Sequence, residues 1–377
     1  MKTKIYSLPG LEGSYVELGY GKYTQSQYNI SIGSINLPPY ATIILYSNPA
    51  FNGTKRILEN NGKKWLKIVN IPAIYSKPVL SVEIICSCSL ITQNNSSTLQ
   101  IFIDTFIRSN QQIGYTFFKL IPHHNSTTHK IAFIIPDFGT NKSLYYKIQQ
   151  TLASMHISSL ILDFRGVETS LPSTNMQYAE IIQDYRYIGQ NLGLIKRNSK
   201  PIVIGHGIGG AIAQLWALTY TMELSKLILI DTAPYATYNS YSLINSSTVS
   251  WTSGVLPFAD YAQIVSNYTF NTMGKACDRE VLDEDYYDSI ISSNQQSLKL
   301  LITQNPDDPS LSTAPQYITV KTLIIHGKYD AYISINGGKT LHTLIKNSFY
   351  RELTTGHAPH FSVPMIFFDA IRIFLAS

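Results

Sequence analysis

Residues 203–211 read Val-Ile-Gly-His-Gly-Ile-Gly-Gly-Ala, and they constrain this chain more than any other stretch. Pro201 to Gly205 is a short apolar run of strand length, and Ile208 to Tyr220 has the pattern of a helix packed against it. His206 and Gly207 alone separate the two. A strand that passes into a helix so abruptly turns sharply. The residue at the apex takes a positive φ, which strains anything with a Cβ. Glycine relieves that strain but brings no hydroxyl, thiol or carboxylate. The stretch is therefore a strand–turn–helix unit of an α/β sheet with a bare apex.

From about residue 100 the chain keeps alternating strands with helices, which argues for a mostly parallel sheet with helices on both faces. Ile101–Arg108 and Tyr115–Ile121 are expected as an opening antiparallel pair. Further strands are expected at Lys130–Ile135, Ser159–Asp163, Lys226–Ile230, Thr322–His326 and Phe349–Leu353. Helices are expected at Lys142–Ser154 and Met176–Leu194, and Pro364–Leu375 closes the unit. Residues from about 232 to 318 interrupt the alternation with Tyr-, Ser- and Asp-rich, partly helical sequence.

Four landmarks stand in order along this region. They are Asp163-Phe164-Arg165-Gly166, Gly205-His206-Gly207-Ile208-Gly209-Gly210, His326-Gly327-Lys328-Tyr329-Asp330 and Gly356-His357-Ala358-Pro359-His360. With them residues 100–377 resemble the α/β-hydrolase family, whose elbow is G-x-S-x-G. The resemblance implies an α/β-hydrolase fold with a cap insertion at about 232–318. It makes Asp330 the acid, His357 the base and Gly207 the vacated nucleophile position. It makes the backbone N–H groups of Phe138 and Ile208 the oxyanion hole. Asp231 stands at an alternative acid position, and His206 fills space beside the sheet.

A second departure accompanies the first. The oxyanion-hole strand of the family ends in His-Gly-x-x, whereas this one ends in Pro136-Asp137-Phe138-Gly139. A carboxylate at Asp137 beside the hole opposes a developing negative charge. Deleting the nucleophile of a serine hydrolase already costs on the order of 10⁶ in turnover. The triad positions Gly207, Asp330 and His357 are thus expected to be vestigial, with no intact catalytic set, no cofactor and no metal.

The N-terminal region repeats itself at an offset of 40 residues. Ile5-Tyr6-Ser7-Leu8-Pro9-Gly10-Leu11-Glu12-Gly13 aligns with Leu45-Tyr46-Ser47-Asn48-Pro49-Ala50-Phe51-Asn52-Gly53. Each copy closes on a similar strand, Ser34–Leu37 and Ser81–Ile84. Alternating apolar runs and turn signals between them make an all-β unit. Tyr46, Phe51 and Gly53, with Tyr6, Leu11 and Gly13, give the spacing Y-x4-F-x-G or its Leu variant. Residues 1–90 on this ground resemble a βγ-crystallin Greek-key domain. The segments Asn29–Ser34 and Ser76–Ser81, which bind calcium in many such domains, lack paired acidic or amide side chains, so no calcium is expected. The Ser/Asn-rich residues 91–99 are the expected linker.

Composition excludes several classes. Apolar residues make 44 % of the 377 and charged ones 14 %, which suits two packed domains and not a disordered chain. The net charge of +5 is scattered, its tightest group being Lys63, Lys64 and Lys67, so nucleic acid is not an expected partner. Three cysteines, Cys86, Cys88 and Cys277, suit a reducing compartment better than a disulfide framework. His123, His124 and His129 lack a Cys or carboxylate companion for a metal and are expected in a surface loop. With no signal peptide and no spanning segment, a cytoplasmic protein is expected.

The function expected is that of a catalytically inactive hydrolase homologue with a structural, self-assembling or interaction role. The 26 tyrosines suit a homo-oligomer or larger assembly, since Tyr gives large contact area with a polar tip. One alternative is a binder of a small apolar ligand in the hydrolase pocket. Another is a residual enzyme on the His357–Asp330 dyad, of lyase or cofactor-free oxygenase type.

Overall fold

The computed structural model describes all residues except 1, 20, 38–40, 48–54, 60–65, 69–78, 80, 87–96, 123–129, 196–199, 271–285 and 304–310. Phe51, Gly53, Lys63, Lys64, Cys88, Cys277, His123, His124, His129 and most of the expected linker lie outside the described residues. The chain divides into two compact units, Met1–Ile103 with Leu120–Asn125, and Asp104–Lys119 with Ser126–Ser377.

Among the described residues up to Cys86 lie eight strands: β1 (Thr3–Leu8), β2 (Glu12–Leu18), β3 (Gly21–Thr24), β4 (Ser34–Leu37), β5 (Ala41–Tyr46), β6 (Lys55–Glu59), β7 (Leu66–Ile68) and β8 (Ser81–Cys86). They form two antiparallel sheets, β2-β1-β4-β7 and β3-β8-β5-β6. Each sheet takes the first, second and fourth strands of one sequence half and the third strand of the other. The repeat in the sequence is therefore a repeat in the topology. Period-two alternation turns Ile5, Ile35, Leu37, Ile43, Leu45 and Val82 fully inward. Gly13 sits at φ 81°, a left-handed conformation that glycine adopts without the strain a Cβ brings. Ser34 donates from Oγ to the Leu8 carbonyl at 2.6 Å and accepts the Leu11 N–H at 2.8 Å, which pins the β1–β2 turn.

The second sheet system has eight strands: β9 (Ser97–Arg108), β10 (Gln111–Pro122), β11 (Lys130–Ile135), β12 (Ile157–Leu162), β13 (Ile202–His206), β14 (Lys226–Ile230), β15 (Thr322–Gly327) and β16 (Ser348–Leu353). Their order is β16-β15-β14-β13-β11-β12-β10-β9. All neighbours from β12 to β16 are parallel, and β10 joins β12 antiparallel. β9 and β10 meet at Ser109–Asn110, both with positive φ, the geometry of a tight two-residue hairpin. The division into units falls inside this hairpin, and Ser97–Leu99 of the expected linker belong to β9.

The longer helices among the described residues are α1 (Tyr146–Ser154), α2 (Tyr178–Asn191), α3 (Ile208–Thr219), α4 (Asn245–Thr252), α5 (Phe258–Phe270), α6 (Gln295–Thr303), α7 (Ile335–Leu344) and α8 (Pro364–Ala376). α4 to α6 lie in the expected cap region. The expected helix at Lys142–Ser154 opens with a tight turn, Lys142–Tyr145, before α1 begins. α7 was not anticipated, because Gly337 and Gly338 weaken its helical pattern. Gly338 is needed there, since a Cβ would lie 2.5 Å from Nδ1 of His326. Among the described residues no helix is long and apolar enough to cross a membrane.

The strand order places the site. The chain runs from β11 to β12 on one side, then crosses to β13 on the other. β11 and β13 are the neighbours at this reversal, where the carboxyl ends of an open α/β sheet leave a crevice.

Candidate functional site

Ile135 of β11 pairs with Gly205 of β13. Two residues further on, Asp137 and Gly207 leave their strands side by side. Gly207 is the apex, at φ 53° and ψ −121°, and precedes the first residue of α3. Its N–H donates to the Ile230 carbonyl at 3.0 Å, and its carbonyl accepts the Thr232 hydroxyl at 2.6 Å. The turn is thus held from β14. A Cβ on Gly207 would lie 1.9 Å from Oδ1 and 2.3 Å from Cγ of Asp137.

Asp137 therefore does more than stand beside the oxyanion hole, as its sequence position suggested. Its carboxylate fills the space where a nucleophilic side chain would begin. Oδ1 accepts the Ile208 N–H at 3.0 Å, one of the two expected oxyanion donors. Oδ2 accepts from Nε2 of His357 at 2.9 Å and from the Tyr286 hydroxyl at 3.3 Å. The other expected donor residue, Phe138, packs its buried ring edge-on against Trp251 and Tyr261.

His357 is held from both sides. Nδ1 donates to Oδ2 of Asp330 at 2.7 Å, and Oδ1 of Asp330 accepts the N–H groups of Tyr332 and Ile333 at 2.8 and 2.9 Å. The imidazole thus lies between two buried carboxylates, with both nitrogens acting as donors. Burial alone would lower its pKa, but Asp330 and Asp137 together raise it well above the ordinary histidine value. Burial likewise pushes Asp137 and Asp330 up, and His357 holds both below the usual carboxylate range. The resting arrangement is carboxylate–imidazolium–carboxylate. A protonated imidazole cannot take a proton from a nucleophile.

A second hydrogen-bonded chain supports this array from below. The Asp137 N–H donates to the Tyr145 hydroxyl at 2.7 Å, and that hydroxyl lies 2.9 Å from Nδ1 of His206. Nε2 of His206 donates to the His357 carbonyl at 2.7 Å. A carbonyl only accepts, so Nε2 carries the proton and Nδ1 accepts from Tyr145. Burial depresses His206 to about 4, in keeping with this neutral tautomer. The space-filling role expected of His206 extends to fixing the backbone of the base.

The expected residues converge unequally. Gly207, Ile208, Asp330 and His357 meet at one point. Asp231 is not hydrogen-bonded to the base: Oδ1 accepts the Gly327 N–H at 2.7 Å, and Oδ2 has no hydrogen-bond partner among the described residues, with Nε2 of His206 4.0 Å away. Burial, then Asp330, pushes Asp231 up to about 7. Tyr145 and Tyr286 were missed. Tyr145 lies in the expected first helix, but nothing in the sequence marks its hydroxyl as a hub. Tyr286 comes from the cap region, and no motif surrounds it.

Among the described residues two buried groups gather three potential ligand atoms within 4.8 Å, Asp137 with His206 and His357, and Asp231 with His326 and Asp330. In the first, every side chain already serves the hydrogen bonds above. In the second, Asp330 is committed to His357. The Asp163–Arg165 landmark is a separate scaffold. Arg165 makes two charge-assisted bonds to Asp184 at 2.8 and 2.9 Å, while Lys142 pairs with Asp163 and Glu168.

A family model described as alpha/beta hydrolase fold matches residues 133–364. Among curated proteins, the biotin biosynthesis bifunctional protein BioHC of Teredinibacter turnerae is 27 % identical over 186 residues, 46 % of this chain and 32 % of that protein. The chain thus spans about a third of the length of that relative. Among solved structures, a hydrolase from Pseudomonas aeruginosa superimposes with a TM-score of 0.60 at 17 % identity, covering 73 % of this chain and 98 % of that one. The enol-lactonase from Burkholderia xenovorans gives a TM-score of 0.60 at 17 % identity, covering 73 % and 100 %. At these identities the solved structures establish the fold alone.

Proposed function

The chain belongs to the alpha/beta hydrolase fold family, and from that premise we propose that it does not form a serine-type acyl-enzyme. One observation carries this reading. The Asp137 carboxylate occupies the place of the nucleophile and engages both the Ile208 N–H and His357. Gly207 supplies no attacking atom, the hole already holds an anion, and the base already holds a proton. Serine acyl transfer fails at all three points.

The scaffold is then kept for another purpose, and contact-making suits it best: a structural, self-assembling or interaction role, in a homo-oligomer or larger assembly. The tyrosine content and the additional β unit support this. The exchange of third strands between two sheets supports reading that unit as a βγ-crystallin-like Greek key. A small-ligand role would draw on the apolar surroundings made where the cap residues Trp251 and Tyr261 stack and pack against Phe138.

A second reading has its own observation. His357 and Asp330 keep a 2.7 Å hydrogen bond, and a carboxylate faces the far side of the imidazole. That favours chemistry in which a carboxylate, not a serine, meets the substrate. The test of the main reading is p-nitrophenyl ester hydrolysis by the purified chain, with molecular size measured on the same sample. Burst formation of an acyl-enzyme sinks it; an inert, defined oligomer supports it.

A further inference from the structure

We propose that the outer face of α8 is where two copies of this chain meet, antiparallel and about a two-fold axis that passes beside Ala370. This rests on the reading of the chain as a homo-oligomer, and it names the surface and its geometry. α8 has two faces. Phe367, Phe368, Ile371, Phe374 and Leu375 are buried. Outward, Met365, Ile366 and Ile373 are 78, 61 and 64 % exposed, and Asp369 and Arg372 stand between them as an exposed ion pair at 2.7 Å. Single exposed apolar residues are ordinary, but three on one outward helix face mark a contact surface. The helix is a firm platform for one. Lys226 donates from Nζ to the carbonyls of Phe374 and Leu375 at 2.8 and 3.1 Å, which ties down the last turn.

The order of residues selects the occupant. Ile366, Ala370 and Ile373 stand at i, i+4 and i+7, the spacing of a helix–helix seam. That seam reads large, small, large in either direction. Reversed against itself around Ala370, it sets Ile366 against Ile373 of the second copy, and the small Ala370 lets the two helices approach closely.

Charge selects the direction. Asp369 and Arg372 lie on the same flank of the seam, and the reversal brings each acid to the base of the second copy. A parallel pairing would set acid against acid and base against base. The ion pair within α8 is exposed and holds little by itself, so exchanging partners costs little. An unrelated partner has no need of a stripe that matches its own reversal, whereas a second copy does. A pair of short helices buries less than the about 1,600 Å² of a standard interface, so the dimer is expected to dissociate in the micromolar range.

The experiment is sedimentation velocity on the full chain across micromolar concentrations, with thermal melting to show that each variant folds. Wild type is expected to pass from monomer to dimer as concentration rises. Ile373→Glu is expected to stay monomeric over the same range. Asp369→Arg brings like charges together and is expected to weaken association roughly tenfold or more. Adding Arg372→Asp restores opposite charges across the axis and is expected to restore the dimer, which a change that only destabilised the fold would not do. Asp369 and Arg372 are exposed, so this exchange decides the matter even where Ile373→Glu fails to fold. A dimer lost in Asp369→Arg and not regained in the double variant overturns the antiparallel arrangement. A monomeric wild type overturns the proposal and the assembly reading together, and leaves this face to a different partner. An oligomer indifferent to both Ile373→Glu and Asp369→Arg overturns the proposal alone and leaves the assembly reading standing.

Discussion

Asp137 and Gly207 exclude any larger pairing at the apex of the site: a Cβ on Gly207 would lie 1.9 Å from Oδ1 of Asp137. Either the elbow carries a side chain or the neighbouring strand does. The loss of the nucleophile and the gain of a carboxylate are one change in packing, divided between two strands that run side by side.

Gly207→Ser alone therefore places a side chain into an occupied space. Overpacking of this kind costs about 1–3 kcal/mol. The variant is expected to lose that much stability in urea and to remain inert toward esters. Adding Asp137→Gly opens the space, frees the Ile208 N–H and leaves Nε2 of His357 available. The double variant is expected to be more stable than the sum of the two single losses predicts, and to hydrolyse p-nitrophenyl esters. Coupling below about 0.5 kcal/mol in the double-mutant cycle would mean that the two positions do not compete.

Asp137→Asn tests the ion array itself. The amide can still accept from Ile208, but it no longer pairs with the imidazolium. Removing one partner of a buried charged pair costs about 3–5 kcal/mol. The imidazole pKa of His357, followed by NMR, is expected to fall as one of its two carboxylates disappears. An unchanged titration would assign the retained proton to Asp330 alone.

The sequence carried the frame of this site further than its chemistry. Short buried strands with glycine-rich junctions made β11, β13, β14 and β15 legible, and Gly207, Asp330 and His357 followed from motif order. Asp137 was placed beside the oxyanion hole, where its carboxylate lies, but its bond to His357 was not legible, since a one-dimensional motif does not say that β11 and β13 become neighbours in register. The hydrogen bonds of Tyr145 and Tyr286 depend on side chains meeting across long separations, and no local pattern encodes that. α7 was hidden by two glycines whose reasons are the close approaches of Ala233 to Gly337 and of His326 to Gly338.

Arg165→Gln separates scaffold from site. Arg165 serves the buried Asp184, which Arg108 also contacts at 2.8 Å. Losing one of two partners is expected to cost about 3 kcal/mol, at the low end for a broken buried pair. The NMR titration of His357 is expected to stay where it is. A shifted His357 would join this landmark to the site, against the geometry described.

Asp231 gives the pH dependence a sign that can be isolated. Burial and Asp330 raise its carboxyl from 3.8 to about 7 in the folded chain. Between those values the folded state keeps a proton that the unfolded state has lost. Its contribution to stability is fully present below 3.8 and is lost as pH rises through about 7, at up to about 1.4 kcal/mol per pH unit. His206 acts oppositely, because its folded value of about 4 lies below the ordinary 6.5, so its contribution is lost on acidification through that interval. The raw profile of wild type mixes the two. Asp231→Asn keeps the oxygen that accepts from Gly327 and removes the titration, so the difference between wild type and variant isolates one group. That difference, from urea unfolding, is expected to move in favour of Asp231→Asn between about pH 4 and 7 and to level off above. A flat difference across that interval would mean that Asp231 ionises normally, and that a second group beside it relieves the buried charge.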